Sequence, residues 1–420
     1  MTAPTRFNWS IALILSAAIA ISYLDRQTLP WAIKNIQADI AITNQMKAAL
    51  DSAFLATYGL MYLGGGWLLD KIGTRRGFAV IMIFWSLACA SHGLAGGVLA
   101  LAASRLLLGV GEGGGFPAAT RAVAEWFPVH QRSLAMGMIN AGTAVGAVAA
   151  PPVIAIILTQ ADWADLSSWR WMFFITGAVG LVWSVWWWFT YKTPTAEETR
   201  HATGDVLVDE GPSPSLAMLL RRREVLAVAG AKFLSDAAWY FYIFWLPKYL
   251  FDAWNLDLKQ AASIGWIPYA AAGVGCLVGG YFSGWLLKRG RSVNFSRKAA
   301  LGLSAALMPW VMLVPLAPNV GLVMVLFSLA FFGQQSWSTL VMTLPTDMVP
   351  RGALGKLAGL VGMGGAFGGV VMGTVAGWLL DHGFSYTPVL VIAGSLHVLA
   401  FGLICAAIPK LQRLNFTKKA

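Results

Sequence analysis

The chain has 420 residues, of which 57% are hydrophobic and only 12% charged. A water-soluble domain carries about 25% charged residues, so a globular protein surrounded by water is excluded, and the mean hydropathy of +0.64 agrees. A formal charge of +11 would invite nucleic acid in a soluble chain; here the basic residues fall in short segments between apolar blocks, so no nucleic-acid partner is expected.

Twelve such blocks follow in chain order, at about 11–33, 50–69, 77–97, 99–121, 132–156, 170–190, 226–248, 262–287, 297–314, 320–343, 355–380 and 387–408. Each is close to the length that lets a helix cross ~30 Å of hydrocarbon. All are predicted helical, including those interrupted by charge or glycine, because lipid leaves an open backbone without partners. The first block contains Asp25 and Arg26 and lacks a small-residue cleavage pattern, so it reads as a retained helix. With an even number of crossings and both ends inside, the inner segments hold 22 of the 30 Lys and Arg residues. The outer ones hold five: Lys34, Lys47, Arg170, Lys248 and Lys259. That asymmetry places both termini in the cytoplasm.

The longest polar stretch, 192–224, contains prolines, acids and the run Arg221-Arg222-Arg223. It reads as a cytoplasmic linker in contact with membrane lipids. It divides an N-terminal six-helix bundle, 1–191, from a C-terminal one, 225–420. The halves repeat. Gly66-Trp67-Leu68-Leu69-Asp70-Lys71 matches Gly284-Trp285-Leu286-Leu287-Lys288-Arg289 at a shift of 218. Glu125, Pro128, Gly137, Gly142 and Gly146 match Asp347, Pro350, Gly359, Gly364 and Gly368 at a shift of 222. The fold class is therefore an all-α polytopic membrane protein of two pseudo-symmetric bundles. Repeated halves of this kind form the central site of secondary transporters.

Charges inside such blocks are expensive and mark functional positions. In chain order these are Asp25 and Arg26, then Arg105 and Glu112, then Lys232 and Asp236. The residues alone admit a fixed Asp25–Arg26 pair, or an arginine that meets an anion beside a carboxyl that changes protonation. Arg105 and Glu112 are two helical turns apart and share a face. Burial disfavours a charged carboxylate, which makes Glu112 a candidate proton site, with a structural pair to another helix as the other reading. Lys232 and Asp236, at i,i+4, read as mutually neutralising. Tyr58 and Tyr62 lie one turn apart; Tyr240, Tyr242 and Trp245 follow the Lys232 pair. Gln334 and Gln335 offer amides that both donate to and accept from hydroxylated ligands. The glycines around Glu112 do not form a phosphate loop. Cys89, Cys276 and Cys405 and the five histidines make no metal or disulfide pattern. No cofactor, metal or enzymatic motif is expected.

The loop after the second block, with Gly66, Asp70, Lys71, Gly73, Arg75 and Arg76, resembles the signature of the major facilitator superfamily. The strings Tyr23-Leu24-Asp25-Arg26, Arg105 through Phe116-Pro117, and Glu125-Trp126-Phe127-Pro128 resemble its anion:cation symporter branch, which includes bacterial carriers of hexuronates and related sugar acids. Gly115 and Ala144 stand where that branch commonly has asparagine. The resemblance covers essentially the whole chain. It implies a monomeric carrier in a bacterial inner membrane, importing with protons a small organic anion, such as galacturonate or glucuronate. Another organic acid, an aldonate or aromatic acid, and efflux of anions or drugs are its alternatives. By the same resemblance Arg26 meets the substrate carboxylate and Asp25 and Glu112 couple the proton. Arg105 is the electrostatic partner of Glu112, while Tyr58 and, more weakly, Tyr23 hydrogen-bond the substrate. The implied substrate face of the second half holds Tyr240, Gln334 and Gln335, and Asp70 with Arg75 and Arg76 forms a conformational latch.

Overall fold

The computed structural model describes residues 6–127, 129–161, 163, 165–195, 214–414 and 416, and every statement below concerns these residues. Most of the predicted linker, residues 196–213, and Pro128 lie outside them. The fold is all-α. Its elements are α1 (Arg6–Asp39), α2 (Asn44–Ile72), α3 (Thr74–Ser91), α4 (Val98–Gly113), α5 (Gly115–Trp126), α6 (Val129–Gln160), α7 (Ser168–Thr190) and the short α8 (Leu216–Leu220). They continue with α9 (Arg223–Ala253), α10 (Leu258–Gly265), α11 (Ile267–Lys288), α12 (Val293–Ala306), a 3₁₀ segment (Met308–Leu316), α13 (Val320–Met348), α14 (Arg351–Asp381) and α15 (Tyr386–Ala407).

Read with their breaks, these elements make the twelve long helical segments expected from the apolar blocks. Ten are apolar and long enough to cross a membrane by themselves. The other two are α2 and α9, which carry Lys47, Asp51, Asp70 and Lys71, and Lys232, Asp236, Lys248 and Asp252. Three crossings are broken where proline or glycine dictates. Pro117 follows the glycine run at Gly113–Gly115 and lacks the N–H that would close onto Gly113, so α4 ends and α5 begins. Pro268 has the same effect between α10 and α11, and Pro309 between α12 and the 3₁₀ segment.

The chain forms two compact units. Unit 1 comprises Met1–Ile42, Ala49–Val208 and Leu250–Trp266; unit 2 comprises Thr43–Ala48, Asp209–Tyr249 and Ile267–Ala420. In unit 1, α1 packs along α6 so closely that a Cβ at Gly142 or Gly146 would collide with the carbonyls of Ser16 and Ala20. In unit 2, α14 meets α9 in the same way, with Gly364 and Gly368 against the carbonyls of Ala229 and Phe233. The glycine pairs repeat at a shift of 222 and the carbonyls they face at a shift of 213. Small residues that let backbones touch are how helices associate in lipid. Each unit also has a tight turn after its Gly-Trp-Leu-Leu string, closed by a glycine of positive φ: Gly73 at 79° and Gly290 at 78°. A side chain there would clash with its own backbone.

Candidate functional site: the buried charges of unit 1

Ser22 and Arg26 are one helical turn apart on α1, so their side chains leave the same face. Both reach one oxygen of Glu112 on α4. Arg26 Nε donates to Oε2 at 2.7 Å and Ser22 Oγ at 2.6 Å. The other carboxylate oxygen, Oε1, has no hydrogen-bond partner. Asp25 is one residue earlier and points about 100° away. It accepts from Trp85 Nε1 of α3 at 3.0 Å through Oδ2, and its Oδ1 is unpartnered. The adjacent Asp25 and Arg26 thus do not pair with each other. All three charged groups are buried.

Arg105 is fully buried on the face of α4 that also carries Glu112. It is not the contact partner of Glu112; that place belongs to Arg26, and Arg105 acts on Glu112 only through space. Arg105 Nε and Nη2 have no hydrogen-bond partner, and its guanidinium lies 5.8 Å from the Phe54 ring. Arg26 is held in an aromatic frame, 4.3 Å from the Tyr58 ring, 4.7 Å from Tyr23 and 5.6 Å from Phe54. Cation–π attraction of this kind strengthens as water is removed. Tyr58 meets Arg26 with its ring face, while its hydroxyl lies 3.1 Å from that of Tyr62. Gly109 and Gly113 make this arrangement possible: their missing side chains let α4 lie on the α2 backbone at Phe54 and Tyr58.

The charged pair expected on α9 is formed within unit 2. Lys232 Nζ lies 2.9 Å from Asp236 Oδ1 and donates to Ser338 Oγ of α13 at 2.7 Å. Gln334 Nε2 donates to the same Asp236 oxygen at 3.2 Å, and Gln334 Oε1 accepts from His397 Nε2 of α15. Gln335, next along α13, is half-buried and takes no part in this chain. Tyr240 is buried, with its ring stacked on Phe244 at 5.8 Å. Sequence reasoning overlooked Ser22, Trp85 and His397. Ser22 is marked only by its spacing from Arg26. Trp85 is one of 20 tryptophans, and His397 is a lone histidine in an otherwise apolar helix.

Of the expected latch residues, the Asp70 side chain lies outside the described set. Arg75 donates from Nη2 to the Trp188 carbonyl at 2.6 Å and stacks on that ring, which ties α3 to the end of α7; Arg76 is exposed. Glu125 accepts from Thr74, Arg121 and Tyr191. Burial, then the Glu125 carboxylate, push the Tyr191 phenol well up, so it remains a donor at ordinary pH. The repeat partner of Glu125, Asp347, accepts from Arg297 at 2.9 Å, and Arg297 also donates to Ser283. No group of three or more His, Cys, Asp or Glu residues is arranged for a metal among the described residues.

Residues 15–371 match the family described as Major Facilitator Superfamily. The chain is 30% identical over 394 residues to the hexuronate transporter of Escherichia coli K12, covering 90% of this chain and 89% of that protein. It is 32% identical to the galacturonate transporter of Dickeya chrysanthemi, over 72% of this chain and 89% of that one. Among solved structures, a bacterial homologue of the human lysosomal transporter Spinster superposes with a TM-score of 0.74 at 16% identity, over 97% of this chain and 96% of that one. The repeated halves, the broken crossings and the buried charges of α1 and α4 thus sit in a multi-pass membrane protein that belongs to the Major Facilitator Superfamily.

Proposed function

We propose that this protein imports a monocarboxylated sugar acid, a hexuronate such as galacturonate or glucuronate, together with protons. It does so by alternating access, as a monomer in a bacterial inner membrane with both termini cytoplasmic. One observation carries the reading: the buried Arg26–Glu112 pair, with one oxygen of Glu112 left unpartnered. An isolated charge is costly in a low-dielectric interior, and a paired one much less so. A proton on Glu112 removes its charge and releases Arg26, whose planar fork then suits a substrate carboxylate. Proton and anion therefore load together, because either alone leaves a buried charge without a counterpart. Asp25, beside this pair and held by Trp85, is the second carboxyl able to take part. Tyr23 and Tyr58 frame the guanidinium. Arg105 adds positive potential at Glu112, and Tyr240, Gln334 and Gln335 are the polar groups proposed to meet sugar hydroxyls. Asp70 with Arg75 and Arg76 is proposed as a latch. Relatives named for hexuronate and galacturonate transport support this substrate class.

The test is uptake of labelled galacturonate into proteoliposomes under an imposed pH gradient. Saturable accumulation driven by external acid, abolished by a protonophore and competed by glucuronate, is expected. Saturable uptake indifferent to the pH gradient would exclude proton coupling. Uptake of aldonates or aromatic acids with no response to galacturonate would move the substrate assignment.

A further inference from the structure

The Lys232–Asp236 pair is a buried ion pair that the proposed coupling at Glu112 leaves without a task. Three features separate it from a static pair. Two donors, Lys232 Nζ and Gln334 Nε2, meet Asp236 at the same oxygen, Oδ1. Oδ2 lies instead against bare backbone at Gly365 of α14, where even a methyl group would collide with it. Lys232 has a second acceptor, Ser338, so its ammonium stays held when the Asp236 charge is removed. Gln334 is anchored on its far side by His397 Nε2, so its amide stays aimed at the carboxyl. An oxygen facing backbone, a lysine with an alternative acceptor and a fixed amide together describe a carboxyl able to be charged or neutral without leaving a neighbour's hydrogen bond unmade.

We infer that Asp236 is a second proton carrier, built into the C-terminal unit, so that each monovalent anion enters with two protons. This rests on the proposed import of an organic anion. The second proton goes to Asp236 Oδ2, and Lys232 shifts its hydrogen bonding toward Ser338. The titratable groups facing Asp236 are Lys232 on its own helix and, through Gln334, His397 on α15. From α13 it meets the Gln334 amide, and from α14 the backbone at Gly365.

The consequence is electrical. One anion with two protons carries one net positive charge inward; with one proton the transfer is neutral. In proteoliposomes clamped by potassium and valinomycin, the wild type should accumulate galacturonate in response to an inside-negative potential. At equilibrium the ratio should rise about tenfold for each ~59 mV. Asp236→Asn should retain accumulation driven by the pH gradient but lose the response to voltage. A purely structural role would lower the rate and leave the voltage response unchanged. If Asp236→Asn yields no active protein, the neutral pair Lys232→Gln/Asp236→Asn is read in the same way. Wild-type uptake that follows pH but not voltage overturns the second carrier and leaves the proposed function standing. Voltage-driven accumulation in either variant also overturns it. Wild-type uptake that follows neither gradient overturns both readings.

Discussion

Each unit buries charge among its helices, but the two do it differently. Unit 1 gathers Asp25, Arg26, Arg105 and Glu112 and leaves polar atoms of three of them without partners: Asp25 Oδ1, Glu112 Oε1, and Arg105 Nε and Nη2. Unit 2 holds the buried Lys232–Asp236 pair, and its neighbours Ser338, Gln334 and His397 form one continuous chain of hydrogen bonds around it. A buried polar group without a partner costs roughly 1–3 kcal/mol, more when charged. The first cluster leaves polar atoms on three charged groups unmatched, whereas in the second Lys232, Asp236 and Gln334 each have a partner and only His397 Nδ1 is left over. Under the proposed function, the difference separates a cluster that takes up an outside anion from one that takes up only a proton.

The largest effect that can break this contrast is at Arg26. Arg26→Ala should leave the Glu112 carboxylate buried without its counter-ion. Removing one member of a buried pair costs about 3–5 kcal/mol, so binding of galacturonate and thermal stability in detergent should both collapse. Arg26→Lys keeps the charge but not the fork, and should fold while binding more weakly. Wild-type affinity in the lysine variant, read by competition with labelled galacturonate, would remove direct carboxylate recognition from Arg26. Lys232→Ala should be milder in binding than Arg26→Ala; an equal loss would erase the distinction between the clusters.

Next in size is Glu112→Gln. The amide can still accept from Ser22 and Arg26 but cannot alternate charge. Substrate exchange should persist, while accumulation against a gradient should fall to no more than the proton on Asp236 alone can drive. Gradient-driven accumulation at the wild-type level would shift the coupling role to Asp25.

Much of this architecture was legible because it is written locally. The two Gly-Trp-Leu-Leu strings and the glycines at a shift of 222 foretold the matching turns at Gly73 and Gly290 and the matching contacts at Gly146 and Gly368. The i,i+4 spacing foretold Lys232–Asp236. What depends on long-range packing was not legible. Arg26 and Glu112 are 86 residues apart, and nothing in the spacing says that Arg26 rather than Arg105 reaches the carboxylate. The turn of α1 that sends Arg26 to Glu112 sends its neighbour Asp25 to Trp85, a choice fixed only by where α3 and α4 stand. His397 was invisible for the same reason, since its partner Gln334 lies 63 residues away. Helix breaks at Gly114 and before Pro268 and Pro309 were written in the residues, but apolar continuity masked them.

The repeat itself can be sharpened by matched substitutions. Gly146→Leu and Gly368→Leu each force a side chain into a neighbouring backbone, at Ala20 and Phe233. Overpacking typically costs 1–3 kcal/mol, and the two variants should lower the melting temperature by similar amounts. Gly137→Leu, whose Cβ position meets nothing nearby, should be close to neutral. A large difference between Gly146→Leu and Gly368→Leu would mean that the two helix pairs, alike in geometry, differ in how far they can yield.

The smallest expected effect is at His397. Its Nε2–H holds the Gln334 carbonyl oxygen, while its Nδ1 has no partner. His397→Phe keeps the ring against Trp337 and removes only the hydrogen bond, a loss of about 0.5–1.5 kcal/mol. Folding should survive. With its anchor gone, the Gln334 amide is free to turn its oxygen toward Asp236, where it repels a carboxylate but accepts from a protonated acid. The variant should therefore favour neutral Asp236, and the voltage-driven component of uptake should saturate at higher pH than in the wild type. No shift in that pH profile would reduce His397 to a packing residue and leave Lys232 as the sole group that sets the charge of Asp236.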